Sequence, residues 1–201
     1  MMKQRYAMVM DLKLCIGCNS CTMACKAAHG TQPGVFWSKV LEKESGKYPN
    51  VTRLFIPVLC NHCREPLCES VCPTGATYRN EDGLVLVDYE KCIGCKACIS
   101  ACPYGVRTYV DKERFYFPNT PIPYNVNELR GLEGVVQKCT FCTDRLKAGD
   151  QPACVEVCPP SCRIFGDLND PGSVVCQTIR SRNAFQLLPD KGTDPSVFYL
   201  R

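Results

Sequence analysis

The residues able to do chemistry in this chain are its cysteines. Eighteen occur in 201 residues, and sixteen of them fall into four groups. Cys15, Cys18, Cys21 and Cys25 form a C-x2-C-x2-C-x3-C run. Cys60, Cys63, Cys68 and Cys72 follow with a wider middle gap and Pro73 behind the last. Cys92, Cys95, Cys98 and Cys102 repeat the first spacing and end on Pro103. Cys139, Cys142, Cys154 and Cys158 have a long middle gap and end on Pro159. Every group closes in C-x3-C, so one chemical unit is used four times.

Four soft, anionic ligands wrapped tightly around a compact core are what a [4Fe–4S] cubane needs. Three cysteines at C-x2-C-x2-C turn one loop around one cube. A cysteine three residues further on points off the following helix in another direction, and so ligates the other cluster of a pair, as in two-cluster bacterial ferredoxins. The trailing proline opens a new segment without an N–H to satisfy. Groups must then work in twos. The second and third are adjacent and pair directly, which leaves the first and fourth to pair around them. The expected ligand sets are Cys15, Cys18, Cys21 and Cys158 for cluster 1, and Cys139, Cys142, Cys154 and Cys25 for cluster 2. Cluster 3 takes Cys60, Cys63, Cys68 and Cys102, and cluster 4 takes Cys92, Cys95, Cys98 and Cys72. Zinc favours two separated C-x2-C pairs, or pairs with His; only the fourth group resembles that. Disulfides are disfavoured because thiols crowded within single turns bridge badly. Cys162 and Cys176 are left over and read as small buried thiols, Cys162 with an alternative role touching a cluster. His62, between two ligands, reads as a loop hydrogen-bonding residue, and His29 and Trp37 as structural.

The elements that must position these ligands are short. A strand over Tyr6–Asp11 leads into the first group. A hairpin from Ala76–Tyr78 to Leu84–Asp88 turns at Asn80-Glu-Asp-Gly83, and Val106–Val110 and Val135–Lys138 are two further strands. One-turn helices fit Cys68–Val71, Cys98–Ala101 and Ala153–Val157, with a longer one over Cys21–Ala28. Two insertions intervene: a hairpin from Val35–Leu41 and Thr52–Val58, and a long surface loop over 111–134, whose aromatic part, Phe115–Tyr124, has partner docking as its other reading. A helix over Ser173–Arg182 precedes an extended end. The fold class is α+β: two bacterial-ferredoxin-like modules, the inner inserted into the outer. Residues 1–59 give the first half of the outer module with its hairpin insertion, 60–110 the inner module and 111–134 the loop. Residues 135–170 complete the outer module, and 171–201 form the C-terminal helix and tail.

The formal charge of +4 counts every thiol as neutral. With sixteen thiolates and four oxidised cores it becomes about −4, so the basic excess compensates anionic clusters. Lys and Arg are scattered, with no basic run or basic amphipathic helix, which excludes a nucleic-acid footprint. No signal-peptide h-region and no membrane-length apolar run are present, and the expectation is a soluble chain.

Four stretches carry a resemblance: MVMDLKLCIGCNSCTMACK, LCNHCREPLCESVCPTGATY, DGLVLVDYEKCIGCKACISACPYGVR and KCTFCTDRLKAGDQPACVEVCPPSCRIFGDLNDP. Together they resemble the iron–sulfur subunits of molybdopterin oxidoreductases of the dimethyl sulfoxide reductase family, the last stretch leaning toward the polysulfide-reductase type. The resemblance implies a non-catalytic electron-transfer subunit with four [4Fe–4S] clusters. It implies a large partner bearing a molybdenum or tungsten pterin cofactor against the outer module, and in some cases a membrane quinone-reactive subunit toward the inner one. Some relatives replace a third-group cysteine and hold a three-iron cluster; Cys95 is present here. The resemblance further implies a periplasmic location, reached by export with a signal-bearing partner, the alternative being cytoplasmic. A subunit of a formate dehydrogenase or hydrogenase complex, a free polyferredoxin and, from another class, a structural zinc module are the rival readings. Lys26, Arg64, Lys96 and Lys138 are the cations expected to raise cluster potentials, Lys96 at cluster 4 in particular.

Overall fold

The computed structural model describes residues 4–116 and 132–201. Most of the loop read over 111–134 therefore lies outside the described residues. Strand β1 (Tyr6–Asp11) runs into the first cysteine group, and helix α1 (Ser20–His29) leaves it. A long hairpin follows, β2 (Ser38–Lys47) and β3 (Asn50–Leu59), paired antiparallel from Ser38–Leu59 to Lys47–Asn50. After it come α2 (Leu67–Ser70), the β4 (Thr77–Arg79)–β5 (Val85–Val87) hairpin, α3 (Ala97–Ala101) and β6 (Thr108–Val110). β7 (Val135–Gln137) pairs antiparallel with β6. Then come α4 (Thr143–Lys147), α5 (Ala153–Glu156), β8 (Arg163–Asp167), α6 (Val174–Ser181) and β9 (Val197–Leu200).

Strand β1 is the hub. It pairs antiparallel with β8 and parallel with β9, giving the order β8-β1-β9. Its residues Ala7 to Met10 have no exposed surface, which the unbroken apolar run AMVM requires of a strand covered on both faces. Met8 and Met10 face a core shared with Cys21, Cys25, Cys139 and Phe141; Ala7 and Val9 face Val175 and Leu200 under α6. Helix α1 packs on α5, and α2 on α3. The second half of the first group, carried on α1, is thus neighbour to the segment within the fourth, and the second group to the third. Ser173 caps α6, its Oγ accepting from the Cys176 N–H at 3.2 Å.

Three features differ from the sequence expectation. The first insertion strand starts at Ser38, not Val35; Val35 and Trp37 are buried in the core instead. Both strands also run well past the apolar stretches, because the Glu42–Lys47 segment is held by its backbone ladder and not by burial. The extended end is the third strand of the main sheet. On the way there it straps the second cysteine group: Asp194 and Thr193 carbonyls accept from the Arg64 and Glu65 N–H groups, and Tyr199 donates its hydroxyl to Pro57 O at 2.9 Å.

Candidate iron–sulfur sites

Each cysteine group opens with the same backbone device. The second residue between its first two cysteines has positive φ: Gly17 (69°), His62 (41°), Gly94 (65°) and Phe141 (55°). Alternating handedness along a short loop turns successive N–H groups inward and forms the anion-binding concavity used at iron–sulfur sites. Glycine is required on space as well as on φ at two of these positions. A Cβ on Gly17 would lie 2.4 Å from the Phe55 ring, and one on Gly94 2.1 Å from Gly134 O. His62 and Phe141 adopt the strained conformation without that freedom and pack on one another with tilted rings, centroids 4.0 Å apart.

The structure brings cysteines of different groups together. Cys15, Cys18, Cys21 and Cys158 line one hollow of ≈ 280 Å³, with Cys162 and Arg163 in its wall. Cys72, Cys92, Cys95 and Cys98 line another of ≈ 320 Å³, with Arg107 and Lys96. Cys25, Cys139, Cys142 and Cys154 are all buried. Burial, and after it the Cys154 and Cys142 thiols, push the Cys25 pKa up. Burial, then Cys25, Cys154, Cys60 and Cys142, do the same for Cys139. Around Cys63 burial comes first, followed by Cys60, with Cys68 and Cys102 also contributing, and the thiol is pushed up to about 12 against a Thr193 hydrogen bond.

The quartets have different exposures. Cys18 and Cys95, in the two hollows at the ends, are exposed, while the Cys25 quartet is sealed. The surroundings suit a sulfide-rich core. Both ring nitrogens of His62, and Nε of Arg163, are buried without a hydrogen-bond partner in the described residues; sulfide and thiolate acceptors would satisfy the Arg163 N–H and the one N–H of the neutral imidazole. Arg107 donates to Cys68 Sγ at 2.9 Å and Arg163 to Cys21 Sγ at 3.2 Å. His29 Nε2 lies 3.1 Å from Cys142 Sγ, its ring tilted against Trp37 at 4.9 Å. Burial holds His29 below its ordinary pKa, and in the tautomer protonated at Nε2 the ring donates to Cys142 Sγ.

The structure redistributes the roles of other residues. Cys162 Sγ sits 3.4 Å from Cys158 Sγ, against a ligand position, whereas Cys176 is a buried thiol directed at Leu168 O. Of the four expected cations, only Lys138 is buried between quartets. Lys26 is buried too, but its ammonium donates to the carbonyls of Thr31, Gln32 and Val35 and to the Thr31 hydroxyl. Arg64 is exposed beside Asp194, and Lys96 is exposed with its ammonium 3.9 Å above the Tyr109 ring. Sequence reasoning missed Arg107, Arg163 and the contact made by His29. The two arginines did carry a signal: each stands five residues after the last cysteine of its group, Cys102 and Cys158, behind a proline.

Comparison with known proteins agrees with this chemistry. Family profiles described as 4Fe-4S dicluster domains match residues 51–119 and 117–168, and residues 14–76. A selenate reductase subunit of Mesobacillus selenatarsenatis is 43% identical, over 98% of this chain and 72% of that protein. The arsenate respiratory reductase iron-sulfur subunit of a Shewanella species is 40% identical, over 98% and 96%. A polysulfide reductase component of Wolinella succinogenes is 38% identical, over 98% and 94%. The chain carries 4Fe–4S clusters and belongs to the electron-transferring iron–sulfur subunits of the molybdopterin oxidoreductases.

Proposed function

We propose that the sixteen grouped cysteines hold four clusters in the cross-ligated sets described above, and that electrons pass along them in the order 1, 2, 3, 4 or its reverse. Clusters of this kind supply one-electron carriers of adjustable potential. The chain's own part is to fix their separation, keep water from the two inner sites and set the surrounding charge.

One observation carries the reading: in two hollows the last cysteine of one group lies with the first three of another. Cys158 shares a hollow with Cys15, Cys18 and Cys21, and Cys72 with Cys92, Cys95 and Cys98. That exchange, together with the β1–β8 pairing and the α1–α5 and α2–α3 contacts, supports an inner ferredoxin-like module inserted into an outer one. The dicluster profiles take the groups in chain order and do not speak to the nesting.

The two ends are the exits. Ile16, beside the exposed Cys18, is 61% exposed, and Ile93, beside the exposed Cys95, is 65% exposed. Apolar side chains presented next to terminal sites suit docking of partners. The cluster 1 end receives the pterin-bearing catalytic subunit, and the cluster 4 end a membrane quinone-reactive subunit where one is present. The complex works in the periplasm, exported folded with its catalytic partner; no helix among the described residues is long and apolar enough to cross a membrane. Substrate choice lies with the catalytic partner. Anoxic copurification tests the whole reading. A brown complex is expected, with about 16 iron and 16 sulfide per chain and a molybdenum or tungsten pterin in the large subunit. Colourless, iron-free material would overturn it, and a partner lacking pterin would overturn the assignment of ends.

A further inference from the structure

Among the described residues, five side chains that carry a full charge are buried: Asp11, Lys26, Arg107, Lys138 and Arg163. Asp11 is paired with Arg182 at 2.6 Å, and Lys26 is saturated by loop oxygens. The other three cations meet no carboxylate within ion-pair distance among the described residues. A charge taken out of water needs a counter-charge: Arg107 and Arg163 donate to cysteine sulfurs, and Lys138, held by two backbone carbonyls, has its charge favoured by Cys60 and Cys139.

Their positions are regular. Arg163 lines the hollow of Cys15, Cys18, Cys21 and Cys158, donates to Cys21, and lies close enough to Cys154 of the neighbouring quartet for each to favour the other's charge. Arg107 lines the hollow of Cys72, Cys92, Cys95 and Cys98, and donates to Cys68 of the neighbouring quartet. Lys138 donates to the carbonyls of Cys139 and Val85 and sits against Cys60 and Cys139, one from each of the two inner quartets. One buried cation therefore stands at each junction of the series: Arg163 between sites 1 and 2, Lys138 between 2 and 3, Arg107 between 3 and 4. Arg107 and Arg163 reach equivalent places because each follows its group's last cysteine by five residues.

We propose that Arg163, Lys138 and Arg107 are relay cations, each shared by the two clusters it separates, setting both their potentials and reducing the repulsion between them when both are reduced. The proposal rests on the four-cluster reading. In each hop one electron leaves one centre, which is oxidised, and enters the next, which is reduced. The fixed cation stays in contact with donor and acceptor, so the transfer needs no compensating proton or ion. In a site closed to water, attraction between opposite charges a few ångströms apart is screened far less than at the surface. Lys96, exposed and lining only the site 4 hollow, is the contrasting case.

The test uses the anaerobically isolated complex, with redox-poised EPR and iron analysis. The variants are Arg163→Gln, Lys138→Met and Arg107→Gln, the charge-keeping Arg163→Lys, Lys138→Arg and Arg107→Lys, and Lys96→Ala. Each neutral variant is expected to lower the reduction constants of its two flanking centres by about tenfold, about 59 mV for a one-electron couple, leaving the remote two in place. The charge-keeping variants stay near wild type, and Lys96→Ala moves site 4 alone. A shift confined to one flanking centre, no shift, or an equal shift of all four overturns the proposal. If a neutral variant fails to load iron, its charge-keeping partner decides. Normal loading and potentials there support the shared charge, and failure there too overturns it in favour of a shape requirement. Wild-type complex with fewer than four cubanes would instead refute the four-cluster reading.

Discussion

Cys21 and Cys25 stand one turn apart on α1 and belong to the same sequence group, yet they are expected to serve different clusters. Replacing each by alanine separates the two accounts. Cys25 is buried, as are Cys139, Cys142 and Cys154, so no water is at hand to take over a lost ligand position. Removing the Cys25 thiolate leaves three ligands in a sealed site, and leaving buried polar groups unpaired costs about 1–3 kcal/mol each. Cluster 2 should be lost outright, with iron falling from about 16 to about 12 per chain. Cys21→Ala should affect cluster 1, whose wall includes the exposed Cys18. The assay is iron and sulfide content together with EPR of dithionite-reduced complex, using Cys158→Ala and Cys139→Ala as references. Cys25→Ala should lose the same signal as Cys139→Ala, and Cys21→Ala should perturb the same signal as Cys158→Ala. If Cys21→Ala and Cys25→Ala strike the same centre, the cross-ligation is wrong, however many clusters the chain holds.

Two other perturbations follow from the site geometry. Gly94→Ala places a Cβ 2.1 Å from Gly134 O at a φ of 65°, adding about 1–2 kcal/mol of left-handed strain to a backbone clash; site 4 should lose iron while the other three signals persist, read by iron analysis and EPR. His29→Phe keeps the packing on Trp37 but removes the donor 3.1 Å from Cys142. The electron-richer thiolate should lower the cluster 2 potential by roughly 40 mV, the equivalent of about 1 kcal/mol for one electron; an unchanged midpoint in a redox titration would remove His29 from the tuning of that site.

The sites are more legible in the sequence than the frame around them. Ligand spacing is a local property: C-x2-C-x2-C and C-x3-C state which thiols share a loop and which point away, and the proposed crossing of the last cysteine then assigns the pairing by exclusion. The long hairpin is legible in kind but not in extent, since Glu42 to Lys47 has no apolar face and is held by pairing with residues 50–55. Strand β8 lies inside the CPPSCRIFGDL stretch without a strand signal of its own, and β9 reads only as an extended end. Both are made strands by β1, a partner more than 150 residues away in sequence for β8 (Met10 against Arg163). The buried arginines are hidden for a related reason. A basic residue in a cysteine-rich chain reads as surface charge unless its offset from the ligands is noticed, and Cys102–Arg107 and Cys158–Arg163 show that offset only when compared with each other.

The centre of the molecule also departs from its own repeat. At the position where the first and third groups use Gly17 and Gly94, the second and fourth use His62 and Phe141, at left-handed φ values of 41° and 55°. Each such residue costs about 1–2 kcal/mol, so the strain needs an offset. The two rings supply it by packing on each other at 4.0 Å, with Phe165 edge-on to Phe141 at 5.4 Å, in a position between the two inner quartets. Phe141→Gly would relieve the backbone but delete a side chain that is 1% exposed. Loss of a buried phenylalanine costs about 3–5 kcal/mol, which exceeds the strain relieved, so a net destabilisation of about 1–4 kcal/mol is expected. It would also open a path for water between sites 2 and 3, where no solvent-exposed cysteine stands. Chemical denaturation of the anaerobic complex and the rate of iron loss to a chelator measure both effects. A Phe141→Gly variant as stable and as slow to lose iron as wild type would mean that the aromatic pair is incidental to the junction it fills.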